Sequence, residues 1–391
     1  MGDGGTCLKG FLRAFDLLSD GDWNRRVVFF CWKGASYSNA DDARVGHGLV
    51  SQLLEGNLSI VVQIAMKNDA AFVSIHYDQF IRDGHGEIEM RLVSFRDSSG
   101  SRFGLIDGDH VIDAHASDNR IPKDLSQFLK GGGTIAELRN LAGSKTARPV
   151  DSIVYDLPIT SPGKIFCLGL NYLEHVKEGP YQVPDYPTIF MRGASSLVAH
   201  NQAIVRPTIS DKLDFEAELV VVIGKRIRHA TLENALDAVF AYSCFNDGTL
   251  RDYQKRTVQW TVGKNFDKTG GFGPVLVTPD ELPLGAMDLN IQSRLNGQVM
   301  QSDNTKNMMF PVAETISTIT AAITLEPGDM IVMGTPSGVG YARKPPVFMK
   351  AGDVVEIEIE GIGTLRNPII DEVLEHDLHL ASHPSRRLGQ L

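Results

Sequence analysis

The chain has 391 residues, of which 42% are hydrophobic and 22% are charged, a composition that is ordinary for a soluble globular protein. The formal net charge of −10 comes without a basic block, which argues against nucleic-acid binding, because neutralising phosphates takes a concentrated basic surface. The four cysteines lie far apart and form no Cys-x-x-Cys pair, so they indicate neither a zinc knuckle nor a disulfide scaffold.

The apolar runs near the amino end, Val27–Trp32 and Ile60–Ala65, are too short to span a membrane. The first thirty residues carry several acidic side chains and no apolar core followed by a small-residue cleavage site. This pattern disfavours a secretory signal and fits an acid-free transit peptide poorly. We therefore expect a cytoplasmic protein without a membrane partner, and we leave a mitochondrial location open.

Residues 1–89 show no sustained hydrophobic period, and turn-like stretches interrupt them. We leave them as an unassigned extension. Two interpretations stay open: that this extension is poorly ordered, and that Met90 is the natural start of the protein. From Met90 the alternation of apolar residues predicts short strands at Arg91–Phe95, Phe103–Ile106 and His110–Ala114. A helical segment at Lys123–Leu141, broken by three glycines, follows them. Residues 90–155 are therefore predicted to form a small N-terminal α+β subdomain.

From Pro162 onward the chain is rich in β-branched residues and in Gly/Pro turns. Strands are predicted at Ile165–Leu170, Thr188–Met191, Leu219–Gly224, Val275–Val277, Leu289–Leu295, Met330–Met333 and Val354–Glu360, with a hairpin turn at Asn296-Gly297. Helical periodicity is confined to Leu232–Ala241, Thr249–Arg256 and Val312–Ala322. Many strands and few helices predict a β-rich α+β protein with a roll or barrel core, and the polar end, residues 376–391, is predicted to be disordered.

The first motif with chemical potential is Asp214-Phe-Glu-Ala-Glu218. In a strand, residues two apart face the same way, so Glu216 and Glu218 would lie side by side, where their charges repel each other unless a cation neutralises them. Oxygen ligands of this kind suit Mg²⁺ or Mn²⁺. Taken alone, a Glu-x-Glu pair is more often a solvated strand end.

Four further pieces carry polar side chains in apolar or glycine-rich surroundings. Asp247 ends a hydrophobic stretch and is either a helix cap or a ligand, while Arg251 and Gln254 are three apart and face one way on the turn that follows. Lys264 either reaches solvent or meets a substrate oxyanion, and the loop that contains Thr335 can cradle a carboxylate. His175 and Glu178 are spaced to form a base and its orienting carboxylate, or a surface pair.

In their order and spacing, these pieces resemble the fumarylacetoacetate hydrolase superfamily. The resemblance lies in Gly169–Glu178, Asp214–Gly224, Asn246–Gln254, Gly263–Asp267, Gly273-Pro274 and Leu325–Gly340. It implies a β-rich catalytic domain over residues 160–372, a homodimer, and a Mg²⁺ or Mn²⁺ ion held by Glu216, Glu218 and Asp247. It further implies that His175 and Glu178 act on a closing lid, that Lys264 serves catalysis, and that the substrate contacts are Arg251, Gln254, Thr335 and Asn171.

The function that we expect from this resemblance is cleavage of a C–C bond. The substrate would be a small 2-oxo or 1,3-dicarbonyl acid of the acylpyruvate, fumarylpyruvate or oxaloacetate type, hydrolysed or decarboxylated through a metal-stabilised enolate. Two alternatives stay open. One is an isomerase or tautomerase of 2-hydroxy-dienoates or oxaloacetate, and the other is a non-catalytic metabolite-binding protein.

Overall fold

The computed structural model describes four strands within residues 1–89, and then residues 90–144 and 146–374. The chain divides into two units, Met1–Glu87 and Ile88–Leu391. The first contains an antiparallel sheet of order β1-β2-β4-β3, with β1 at Arg13–Phe15, β2 at Val27–Trp32, β3 at Leu58–Lys67 and β4 at Ala70–Gln79. These strands fall in the stretch that the sequence left unassigned.

The second unit is dominated by one large mixed sheet. Its strands are β5 (Arg91–Asp97), β6 (Gly100–Asp107), β7 (His110–Asp113), β8 (Ala147–Pro149), β9 (Val154–Tyr155), β10 (Ile165–Gly169), β11 (Thr188–Met191), β12 (Leu197–Ala199), β15 (Ala217–Ile223), β16 (Val239–Asp247), β18 (Gly270–Val277) and β21 (Met330–Val332). The main path runs β11-β10-β21-β15-β16-β18-β5-β6-β7-β8, and β12 and β9 pair with β18 and β5. Residues 90–155 therefore contribute one edge of this sheet.

The remaining strands form two smaller sheets. The five-stranded one has the order β13-β23-β22-β19-β20, and the other pairs β14 with β17. Their bounds are β13 (Ile204–Arg206), β14 (Leu213–Asp214), β17 (Thr249–Leu250), β19 (Asn290–Leu295), β20 (Gln298–Asn304), β22 (Val354–Ile359) and β23 (Gly363–Asp371).

The helices are short. The α-helices are α1 (Ala114–Ser117), α2 (Leu125–Lys130), α3 (Ile135–Arg139), α4 (Leu173–Val176), α5 (Arg251–Gln254), α6 (Thr261–Lys264) and α7 (Val312–Ala322). Single 3₁₀ turns lie at Val150–Ser152, Ala194–Ser196, Ala235–Ala238, Pro279–Glu281, Leu284–Ala286, Thr305–Asn307 and Gly340–Ala342. Within the described residues, no helix has the length and apolarity that crossing a bilayer takes.

The central strands β15 and β16 explain where the polar motifs meet. Every residue of both strands is buried, and alternate side chains of β15 enter two different hydrophobic cores: Leu219, Val221 and Ile223 on one face, Val220 and Val222 on the other. Because the two strands are antiparallel, with Ala217 opposite Asn246, the start of β15 lies beside the end of β16. Glu216 and Glu218 are thereby brought to Asp247.

The predicted β-rich α+β class is confirmed, although the strands of residues 90–144 and 146–374 form open sheets rather than a closed barrel. The hairpin at Asn296-Gly297 and the helix Val312–Ala322 are found as predicted. The helix predicted at Leu232–Ala241 is wrong, since only a 3₁₀ turn forms there and Val239 already begins β16. The helix predicted at Thr249–Arg256 shortens to α5. The tail, 376–391, lies outside the described residues.

Candidate metal centre and active site

The three predicted metal ligands lie together in the interior. Glu216, Glu218 and Asp247 are all buried, and each offers a carboxylate oxygen within 4.8 Å of the others. Burial, followed by the charges of Asp247 and Glu216, raises the pKa of Glu218 well above its usual range. A set of three oxygen donors this close fits a hard divalent cation, which would relieve the repulsion between them.

Two predicted cationic residues already contact this triad. The Lys264 ammonium, at the end of α6, donates to Glu216 and to Asp247 Oδ2, the latter at 2.6 Å. Arg251 Nη2 lies 2.7 Å from Glu216 Oε1. Burial alone would raise the pKa of Glu216, but Arg251 and Lys264 outweigh it and hold that pKa at about 2. A divalent cation would therefore share Glu216 and Asp247 with these side chains.

A third cation, Arg192, was not found from the sequence. It follows β11, is buried, and donates through Nη1 to Asp247 Oδ1 and to the Gly248 carbonyl. Its Nη2 also donates to Thr269 Oγ1 at 3.0 Å. The arginine stands 55 residues before Asp247 in a stretch without a recognisable motif, so no local pattern could have marked it. Arg192 thus binds Oδ1 of Asp247, while Oδ2 accepts a hydrogen bond from Lys264.

Arg251 also forms an ion pair with Asp214, a buried carboxylate to which the sequence analysis gave no role. Asp214 Oδ2 accepts from Arg251 Nε at 2.8 Å, while Arg251 Nη1 donates to Gln254 Oε1 at 3.0 Å. Arg251 and Gln254 both line the same small cavity as Glu216 and Glu218. The two side chains therefore reach the same cavity, and their contact with a substrate stays a prediction.

A single loop, Gly334–Tyr341, contacts three of these carboxylates through its backbone; we call it the glycine loop. Gly334 N–H donates to Glu218 Oε2 at 2.6 Å, and Gly338 N–H donates to Glu178 Oε1 at 2.6 Å. The N–H groups of Gly340 and Tyr341 donate to the two oxygens of Asp214, at 2.8 and 3.0 Å. The backbone of this loop therefore contacts Glu218 of the triad, Glu178 of the His-Glu pair, and Asp214, the partner of Arg251.

The predicted dyad forms on the segment that carries α4. His175 Nδ1 lies 2.8 Å from Glu178 Oε2, and the imidazole lines the cavity that Glu216 and Glu218 also line. Since Nδ1 faces Glu178, Nε2 is the nitrogen that a ligand in the cavity would meet. A carboxylate in this position sets the tautomer and the orientation of a histidine that moves protons.

Thr335 also lines the cavity, and the contacts of its hydroxyl show which of its atoms is left for a ligand. Gln301 Nε2 donates to Thr335 Oγ1 at 2.7 Å and to the Pro336 carbonyl at 2.8 Å. Because the Thr335 oxygen accepts this bond, its own hydrogen is available to donate to a ligand oxygen. Gln301 is a second polar residue that the sequence did not indicate.

Asn171 has a different part from the predicted one. Its amide nitrogen donates to the carbonyls of Met333 and Phe310, at 2.7 and 3.2 Å, and its Oδ1 accepts the Phe310 N–H at 2.8 Å. The side chain is fully buried, and both of its amide hydrogens are engaged by the backbone. The predicted substrate contact is therefore corrected: Asn171 fixes the chain around the site.

The cavity in which these groups meet is small and enclosed by aromatic side chains. It measures about 20 Å³, room for about one water molecule, and Tyr181, Phe190, Trp260 and Tyr341 form part of its wall. Phe190 and Trp260 pack edge to face, with ring centroids 5.6 Å apart.

The family model described as fumarylacetoacetate (FAA) hydrolase C-terminal matches residues 164–370, which include every residue of the site. The chain is also 40% identical to the human mitochondrial oxaloacetate tautomerase FAHD2A over 290 residues, 72% of this chain and 92% of that protein. The chain belongs to the fumarylacetoacetate hydrolase family.

Other members of this family cover a similar share of this chain. The mitochondrial oxaloacetate tautomerase of Xenopus laevis is 40% identical over 291 residues, 72% of this chain and 91% of that one. Among solved structures, a fumarylacetoacetate hydrolase from Exiguobacterium antarcticum is 34% identical with a TM-score of 0.65, covering 72% of this chain and 100% of its own. A 2-hydroxyhepta-2,4-diene-1,7-dioate isomerase from Mycobacterium marinum is 30% identical with a TM-score of 0.59, covering 73% and 100%.

Proposed function

We propose that this chain is a divalent-metal-dependent tautomerase of a small 2-oxo dicarboxylic acid of the oxaloacetate type. The observation that carries the proposal is the His175–Glu178 pair, whose imidazole faces the cavity lined by the buried carboxylates. Keto–enol conversion needs a group that moves a proton and a site that tolerates negative charge on oxygen, and both are present. The names of the human and Xenopus relatives support the same reaction.

The residues of the chain divide the work between binding and proton transfer. Mg²⁺ or Mn²⁺ held by Glu216, Glu218 and Asp247 would supply Lewis acidity at the 2-oxo oxygen. Arg251 and Gln254 bind the carboxylate beside that oxygen, and the Thr335 hydroxyl donates to the distal one. His175 Nε2 removes a proton from the carbon next to the carbonyl and the proton returns to the oxygen, so that no atom is gained or lost.

A second candidate is hydrolysis or decarboxylation at a C–C bond, the function expected first from the sequence. The same His175–Glu178 pair favours it, since an oriented imidazole can equally activate a water molecule for attack on a carbonyl. The solved relative named fumarylacetoacetate hydrolase, at 34% identity, supports this reading. A metabolite-binding protein without catalysis is the third reading that the experiment separates.

The test is an assay of the purified protein against a panel of 2-oxo acids with Mg²⁺ or Mn²⁺. We expect a metal-dependent change in enol absorbance for oxaloacetate, without release of pyruvate or CO₂, and its loss on chelation. Release of either product would favour the second candidate, and tight metal-dependent binding without conversion the third.

His175→Ala is the variant that tests the assigned base. It should lower turnover by about 10²- to 10⁴-fold while sparing metal binding, and the exposed His110→Ala is the matched control. Full activity of His175→Ala would remove the dyad from the mechanism.

A further inference from the structure

We propose that Arg343 is a positioning residue that keeps the His175–Glu178 pair in its working geometry. The inference rests on the proposed function, because it concerns the base of that reaction. Arg343 is half-buried and lies two residues after the glycine loop; it lies outside the residues that line the cavity, so it acts on the reaction only through others.

The chain of contacts from Arg343 to the imidazole is continuous. Arg343 Nε donates to the Gly338 carbonyl at 3.1 Å, and its Nη2 donates to the Met300 carbonyl on β20. The N–H of the same Gly338 donates to Glu178 Oε1 at 2.6 Å, and Glu178 Oε2 faces His175 Nδ1 at 2.8 Å. The guanidinium of Arg343 thus bonds both to β20 and to Gly338, the residue whose N–H binds Glu178.

Gly338 explains why such a tie is needed. Its φ is +104°, a conformation that L side chains rarely adopt, and an added Cβ would overlap the Met300 carbonyl oxygen. Glycine is therefore required at this position, but glycine also has the greatest backbone freedom of all residues. Local sterics therefore determine the direction of the Gly338 N–H only poorly. The hydrogen bond from Arg343 to the Gly338 carbonyl limits the backbone conformations that this glycine can adopt.

The two bonds of Arg343 suit this purpose because hydrogen bonds from a charged donor are shorter and stronger than neutral ones, and a planar guanidinium fixes two acceptors at once. Without these two bonds, the Gly338 N–H would no longer point at Glu178 Oε1, and the hydrogen bond between them would weaken. The carboxylate could then rotate, and the imidazole would lose its fixed tautomer and direction.

The first arm of the test compares Arg343→Gln and Arg343→Lys with Arg226→Gln, which removes an exposed arginine paired with Glu326. We expect Arg343→Gln to lower kcat by about 10- to 100-fold, as a misplaced base does, with the substrate KM and the Mn²⁺ affinity within about twofold of the parent. Arg343→Lys should recover part of kcat, and Arg226→Gln should change nothing. Unchanged kcat, or a KM that rises and a Mn²⁺ affinity that falls together with the loss of kcat, would overturn the inference.

The second arm repeats Arg343→Gln in a Glu178→Ala protein. If Arg343 works through Glu178, its removal should cost no further activity there. A full additional loss would mean that Arg343 acts by another route and would refute the proposal.

The third arm is a crystal structure of Arg343→Gln, which needs no activity. We expect the distance from Gly338 N to Glu178 Oε1 to exceed 3.5 Å, and an unchanged 2.6 Å bond would contradict the positioning role. If the parent protein converts none of the 2-oxo acids, the proposed function fails, and this arm still decides whether Arg343 holds the dyad.

Discussion

The buried carboxylates of the site are balanced by cationic side chains that come from other parts of the sequence. The side chains of Arg192 and Asp247 have no exposed surface at all, and their ion pair is supplemented by bonds from Arg192 to Gly248 and Thr269. A buried ion pair contributes little net stability, but removing one partner leaves the other charge uncompensated. The site is therefore sensitive to single changes that conserve volume.

Replacing Arg192 by Met should destabilise the protein by about 3–5 kcal/mol, because Asp247 would keep only Lys264 as a cationic partner. Urea unfolding measures this loss. The control is Arg226→Met, which breaks an exposed pair with Glu326 and should cost at most about 1 kcal/mol. Equal and small losses in the two variants would contradict the reading of Arg192 as an essential partner of Asp247.

His200 makes stability depend on pH. Burial, with the charge of Arg366 added, lowers the pKa of His200 to about 4, and its Nδ1 accepts the Arg366 N–H at 3.1 Å. The unfolded chain protonates this ring near pH 6.5 and the folded one only near 4. Stability should therefore be full above about pH 6.5, fall as the pH drops through that window, and level off below about 4.

We expect this residue to account for about 2 kcal/mol between pH 7 and 4.5, reduced from the full shift because the ring is partly exposed. His200→Gln keeps an acceptor for the Arg366 N–H and removes the titration. Urea unfolding of both proteins at the two pH values should show a pH effect smaller by that amount in the variant. An identical pH dependence would exclude His200 as its source.

At the residue level, the sequence predicted what local spacing encodes. Glu216 and Glu218 are two apart beside an apolar strand, and His175 and Glu178 are three apart, so each pair could be recognised from its spacing. In the structure Glu216, Glu218 and His175 line one cavity, and Glu178 contacts His175. Arg192 and Gln301 reach the site only through tertiary packing. Asn171 stands within a recognised motif, and only its backbone partners reveal that it supports the chain.

At the level of elements, the neighbouring strands decide between helix and strand where the hydrophobic period of the sequence does not. Val312–Ala322 was predicted correctly because its apolar positions follow a helical period and Pro311 stands at its start. The start of β16 is wrongly predicted as helix, because the helical period of Leu232–Ala241 continues into the apolar residues Val239–Ala241, which fit either a helix or a strand. The structure makes it a strand because β15 and β18 offer hydrogen bonds on both sides.

Helix α7 offers a test of how much one element contributes to the core. Ile316 is fully buried on α7, whereas Ile323, directly after its last residue, is 42% exposed. Ile316→Ala should cost about 2–5 kcal/mol by leaving a cavity, and Ile323→Ala less than about 1 kcal/mol. Thermal or urea unfolding of the two variants measures both, and similar losses would mean that α7 is not packed as described.

For the whole molecule, the division at Glu87 predicts that the second unit folds alone. Both hydrophobic cores of the residues with described side chains are built from Met90 onward. Met90 is itself buried, and its backbone bonds to Glu281 and Thr278. A protein that starts at Met90 should unfold cooperatively and bind Mn²⁺ like the full chain. Aggregation or loss of Mn²⁺ binding would show that the second unit depends on the first.

Two expectations at this scale stay predictions. The homodimer follows from the family resemblance, and the cytoplasmic location follows from the amino-terminal composition. The human and Xenopus relatives are named as mitochondrial proteins.

The glycine loop also limits how this chain can diverge. Its contacts are made by backbone N–H groups at positions 334, 338, 340 and 341, and an added Cβ at any of the three glycines 334, 338 and 340 would overlap a neighbouring atom. A change in length would also displace the donors. One inserted or deleted residue between Gly334 and Gly338 would move the donor of Glu178 out of step with the donor of Glu218. We therefore expect the length of this loop and its glycines at positions 334, 338 and 340 to be held constant.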